Sequence, residues 1–391
     1  MRAQTGVSIN AKSAEAGADA ARRARQGLSG IKLAFVYSGV QYDQKELLAA
    51  ISEELPDVPL IGNTSFTGVM TQEGFITGAD GFVGILALSD DNLTVGSACL
   101  AKDGDARATG RLVAYAALAA AGKSVSNKIE PPDYFYMTAP PGEEELYLKG
   151  IFDVIGRVPV FGGSAADNAI AGDWLLYSDQ TVTADGVGVA FFYTDKPIAN
   201  VFTGAYKESA NVGIVTKLDG PRTLVEIDGV PALKKYAEWT NQNADDLKGD
   251  KLLFASITAP IGVKDPLGEL VAIRHPMNGN DDYSIAVGAN LAVNTAVIQM
   301  ECSDSELITA TGAAITALTE KLGTKPAAFH LVHCGGRRAG IGDRIGVVYK
   351  SIRNAADDIP FIVEFTFGEY GTEDDGRNTT GGLMLSFTAF A

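Results

Sequence analysis

Residues 333–338 read His-Cys-Gly-Gly-Arg-Arg, and residues 365–371 read Phe-Thr-Phe-Gly-Glu-Tyr-Gly. Cys334 with His333 or His330 and Glu369 supplies a thiol, an imidazole and a carboxylate, the groups of a cysteine-dependent acyl-transfer or hydrolytic enzyme. Neighbouring residues of an extended segment project to opposite sides, which aims His333 away from Cys334. The expectation is therefore binding without turnover. Arg337 or Arg338 opposite Glu369 would place one cation and one anion in a crevice. Such a pair suits a zwitterion or a carboxylate, because guanidinium grips carboxylate through two parallel donors. Cys334, Gly335 and Gly368 complete these two loops as small or polar lining.

A third stretch, Phe161-Gly-Gly-Ser-Ala-Ala-Asp-Asn168, is built of small residues that let backbone amides turn into one space. Ser164, Ala165, Asp167 and Asn168 are its candidate contacts to a ligand. The alternative is a tight turn capped by Asp167. The charged segment 373–378 reads as a flap or as an ordinary hairpin tip.

The elements that must position these loops recur three times. Ile31–Tyr37, Asp133–Met137 and Ala328–Val332 each read as a buried strand. Each is followed by a helix (near 44–55, 143–155 and 341–354) and then by a branched residue, proline and a second apolar strand. A strand–helix–strand unit makes its two strands parallel, and loops leaving their C-terminal ends form a crevice. Another strand and helix are expected upstream of each unit, at 6–28, 93–121 and 293–322. A glycine-opened strand follows each one, at 81–88, 186–193 and 382–387.

The fold class expected is α/β, with mixed, largely parallel-core sheets carrying helices on their faces, built from a repeated β-α-β-α-β-β unit. Pro59 and Pro159 are 100 residues apart and Pro159 and Pro360 are 201 apart. Two units thus stand in tandem in a first domain, 1–218. The third follows a loop-rich segment in a second domain, 219–391, with short strands expected at 251–256 and 269–274. Ser303 and Glu306 form a capping box before a long helix that Gly323 ends.

With 32 basic and 48 acidic residues the chain carries a formal charge of −16, which repels nucleic-acid backbones and anionic lipid. No apolar run reaches the roughly 20 residues of a membrane helix, and the first residues lack the apolar core of an export signal. Cys99, Cys302 and Cys334 form neither a disulfide framework nor a zinc pattern. A cytoplasmic protein is expected. No G-x-G-x-x-G or Walker lysine run marks a nucleotide site.

The segments Val158–Asp167, Cys334–Arg338 and Phe367–Glu369, with Ile227-Asp-Gly-Val-Pro-Ala232 between them, resemble the signature segments of the FIST sensory family. The resemblance spans about residues 25–388 and implies an intracellular small-molecule sensor, proposed for amino acids, that signals through a partner protein. Some stand-alone members are described as haem-binding nitric oxide sensors acting through a histidine kinase. For haem, His333, His275 or Cys334 would have to hold the iron, since His330 lies inside a strand. Where the family has a cysteine, this chain has Asn63, in Gly62-Asn-Thr-Ser-Phe-Thr-Gly68, and no glutamate follows Gly68. If that loop meets ligand, its chemistry differs here.

Overall fold

The computed structural model describes the whole chain except residues 127, 180, 265–270, 374, 375 and 377. Among the described residues the strands form four sheets, three mixed ones of six strands and an antiparallel one of eight. Each six-stranded sheet is centred on one parallel pair: Ile31–Ser38 with Leu60–Thr64, Tyr134–Ala139 with Val160–Ser164, and Ala328–Cys334 with Phe361–Thr366. The remaining pairings are antiparallel. The central strands read as unbroken apolar runs because one face meets helices and the other meets the neighbouring sheets.

The helices lie in pairs on the outer faces: Ser13–Ala24 with Gln44–Glu54, Ala106–Ala120 with Glu144–Ile155, and Asp304–Leu322 with Ile345–Ala356. Each pair makes its close approach at glycine. A Cβ on Gly17, Gly110 or Gly312 would lie 2.5 Å from Leu47 O, 2.4 Å from Tyr147 O or 2.6 Å from Ser351 Oγ. The capping box of Ser303 and Glu306 is formed, and Gly323 ends that helix in the left-handed region.

The units exchange hairpins in a cycle. Val69–Thr71 and Gly74–Ile76 of the first unit extend the third sheet, Leu176–Ser178 and Thr181–Thr183 of the second extend the first, and Glu369–Thr372 and Asn378–Gly381 of the third extend the second. Ala34 opposes Leu60, Phe135 opposes Val160 and Phe329 opposes Phe361. The units therefore align residue for residue, and Phe35, Tyr136 and His330 share one repeat position. Their rings meet at the centre, with centroids 4.7–5.5 Å apart. The three sheets face one another around this point.

Several expected elements differ. The outer strand of the third sheet is Ile198–Thr203, not residues 293–302. Ala296–Glu301 belongs instead to the eight-stranded sheet, formed from residues 207–301 and lying between the outer strand and helix of the third unit. That insertion explains the doubled spacing between prolines. Residues 251–255 form a helix, and the second expected strand is Val271–Arg274, its first two residues lying outside the described ones. Residues Gly335–Ile341 form a short helix instead of a loop, so the third unit's helical segment starts earlier than expected. The expected flap at 373–378 includes Asp374, Asp375 and Arg377, which lie outside the described residues. No helix among the described residues is long and apolar enough to cross a membrane.

Candidate functional site

The turns leaving the second parallel strands converge. Phe66 N–H donates to Phe365 O (2.9 Å), Ala166 N–H to Thr64 O (2.8 Å) and Phe367 N–H to Ser164 O (3.1 Å). These donors occupy one repeat position and these acceptors another, so the bonds close a ring linking all three units. Ala165 is buried in this ring and donates to Ala139 O.

Beneath the ring lies a buried polar core. Asn63 donates to Glu364 Oε2 (3.0 Å) and accepts from the hydroxyls of Tyr136 (2.9 Å) and Thr138 (3.0 Å). The Tyr37 hydroxyl bonds to Tyr136 and to His330 Nε2. Burial pushes the Glu364 carboxyl up to about 8 and the His330 imidazole down to about 3. Asn63, the departure from the family pattern, is therefore a core residue with no exposure.

The proposed arginine–glutamate clamp does not assemble. Because residues 335–341 are helical, Arg337 and Arg338 leave the backbone about 100° apart. Buried Arg337 donates to the carbonyls of Gly204 (2.6 Å), Leu307 (2.9 Å) and Leu383 (3.3 Å). Arg338 donates to Gly342 O and lies 4.9 Å over the Phe75 ring. Glu369 accepts from Thr366 Oγ1 (2.9 Å) and Met384 N (2.9 Å), and burial pushes its carboxyl up to about 8. Ser164 bonds to Tyr370 OH (2.6 Å) and Glu144 Oε1 (3.1 Å). Gly368 lies against these groups, where a Cβ would stand 2.9 Å from Ser164 Oγ.

Asp167 caps its own turn. Its buried carboxylate accepts from the backbone N–H groups of Ala169, Ala171, Gly172 and Asp173 at 2.8–3.2 Å. Asn168 Oδ1 accepts from Thr67 N (2.9 Å), tying the same loop to the first unit. These contacts fix one wall of a cleft of about 420 Å³. From the three repeat units come Phe66, Asn168, Ile170, Trp174, Cys334, Gly335, Gly336, Ala339 and Phe367. From residues 207–301 come Arg222, Leu253, Phe254, His275 and Met277. Phe367 packs against Phe66 (5.6 Å) and edge-on against Trp174 (6.2 Å). A Cβ on Gly336 would stand 2.8 Å from Leu383 Cδ2 and 3.3 Å from His275 Cε1, so glycine there lets the short helix pack closely on both.

Of the expected contacts, Asn168, Cys334, Gly335 and His275 line this cleft. Ser164, Ala165, Asp167, Arg337, Arg338, Gly368 and Glu369 stand behind its walls. Sequence reasoning missed Phe66, Trp174, Phe254, Phe367 and Arg222. The aromatics had a signal, since Phe66, Trp174 and Phe367 sit beside the turns already singled out.

The charges near the cleft are paired. Arg222 donates to Glu144, to Glu145 (2.8 Å) and to Gly288 O (3.1 Å). His275 shares a 3.0 Å hydrogen bond with Leu253 O through Nε2, and burial lowers its imidazole to about 4. The Cys334 thiol accepts from Leu383 N (3.2 Å), and burial with Glu369 nearby pushes it far above its ordinary range. That environment opposes the thiolate a nucleophile or iron ligand needs. His333 is buried against Phe365 and is held near 3 by burial. These donors do not fit a haem iron: His330 and His333 face packed core, and Nε2 of His275 is engaged. No cluster of metal ligands occurs among the described residues.

The sequence matches the FIST N domain over residues 32–230 and the FIST C domain over residues 232–372. No curated protein matches it. Among solved structures it is similar to cyanuric acid hydrolase from A. caulinodans, with 12% identity, 100% of this chain and 99% of that one covered, and a TM-score of 0.37. PurLQS from Thermotoga maritima is similar at 10% identity, covering 100% and 72%, with a TM-score of 0.25. At such scores the likeness decides nothing about what the chain does.

Proposed function

The chain belongs to the FIST family of signal-transduction sensor domains, and from that premise we propose that it senses a small molecule held in the 420 Å³ cleft beside the turn ring. The single observation carrying this reading is the cleft's composition. It is concave, aromatic-walled and lined from both FIST domains, as a ligand pocket requires. Occupancy would bear on the contacts between the insertion and the N-terminal units, which meet at Arg222, Glu144 and Glu145. A partner protein such as a histidine kinase would read that change. The buried, protonated Cys334 favours binding over catalysis.

The chain has two tryptophans, Trp174 and Trp239. In a Trp239→Phe protein, emission then reports on Trp174 alone. A screen of small molecules should yield ligands that shift this emission and raise the melting temperature. Ala339→Phe, which narrows the cleft, should abolish both responses. Ligands that bind equally well to Ala339→Phe would contradict the reading.

A further inference from the structure

The class of ligand can be read from the same cleft, on the premise that it is the binding site. One wall is the aromatic set Phe66, Trp174 and Phe367; the other is Leu253, Phe254 and Met277. Two apolar residues stand at the mouth, Phe254 at 58% exposure and Ile170 at 47%. No free charge meets them. Arg222 is neutralised by two carboxylates, Arg337 and Arg338 face elsewhere, and His275 is neutral at pH 7. A zwitterion entering here would lose water from both charges and gain no counter-ion. Asn168 offers a donor to this space: it holds Thr67 N–H through Oδ1, while its Nδ2 has no protein partner among the described residues.

We infer that the cleft takes an uncharged, flat molecule of one or two rings carrying a hydrogen-bond acceptor, with its rings between the two apolar walls and its acceptor toward Asn168. This departs from the zwitterion that the arginine–glutamate pair suggested. Flat rings gain edge and face contacts with Phe and Trp beyond simple burial, and one polar anchor fixes orientation.

The test compares 7-methoxycoumarin, which is uncharged and has a lactone carbonyl, with L-phenylalanine, which carries one ring and two charges. Titrations of the full chain should show saturable binding of the coumarin and at least tenfold weaker binding of phenylalanine. Ala339→Phe should weaken the coumarin at least tenfold. Phe254→Ala, at an exposed position that does not threaten folding, should weaken it severalfold. Asn168→Asp keeps the acceptor for Thr67 but removes the donor, and should also weaken it severalfold. Failure of the coumarin to bind, or tighter binding of phenylalanine, overturns the inference. If phenylalanine or a screened ligand then proves sensitive to Ala339→Phe, the cleft remains the site and only the ligand class falls. If no ligand is sensitive to Ala339→Phe, the sensor site itself is wrong.

Discussion

Asn63 donates to the Glu364 carboxyl Oε2 at 3.0 Å across 301 residues of chain, deep in the centre where the three units meet. The two occupy one position of the repeat, shared with Gly163, so only one of three units supplies the donor. Asn63 also receives the hydroxyls of Tyr136 and Thr138. Asn63→Leu keeps the branching at Cγ but strips three buried groups of their partner. It should destabilise the fold by about 3 kcal/mol, measured by urea denaturation. A loss under about 0.5 kcal/mol would contradict this role.

Burial gives the stability a predictable pH profile. Glu364 and Glu369 have folded values near 8 against ordinary values of 4.5. Their contribution is complete below pH 4.5 and is lost as pH rises toward 8. The buried histidines act oppositely: His275, His330 and His333 lie near 3–4 against 6.5, so stability falls as pH drops below 6.5. Between pH 6.5 and 8 only the carboxyls of this set titrate, and stability should decline. Glu369→Gln should make that decline shallower. A melting temperature that rises across this interval would refute the assignment.

Asp167 organises the cleft wall through four backbone donors. Replacing one acceptor oxygen by an amide NH2 sets donor against donor. Asp167→Asn should cost about 1–3 kcal/mol and speed hydrogen exchange at residues 169–173. Unchanged exchange there would show that the loop holds itself.

All three cysteines are buried with raised thiol values, Cys302 to about 11 and Cys99 to about 12. Iodoacetamide near pH 7 should label the native protein far more slowly than the unfolded chain. Rapid native labelling of Cys334 would revive the enzyme alternative.

The strand–helix–strand units were legible because parallel strands buried on both faces leave unbroken apolar runs. The cyclic hairpin exchange was not, since three-residue strands such as Val69–Thr71 carry little pattern and pair across hundreds of residues. The helix at Gly335–Ile341 ran against propensity, as Gly-Gly is a poor helical opening. Its formation separated Arg337 from Arg338 and dissolved the expected charge clamp. Asp167 was read correctly as a turn cap in one of two alternatives. The insertion within the third unit hid the strand Ile198–Thr203, whose partner Leu385–Phe390 lies at the far end of the chain.

The most direct test is a structure determined with a bound ligand from the Trp174 screen. The ligand should lie between Phe367 and Met277 and within reach of Asn168. A ligand seated instead in the buried core at Asn63, or on a surface away from Trp174, would contradict the assignment of the cleft.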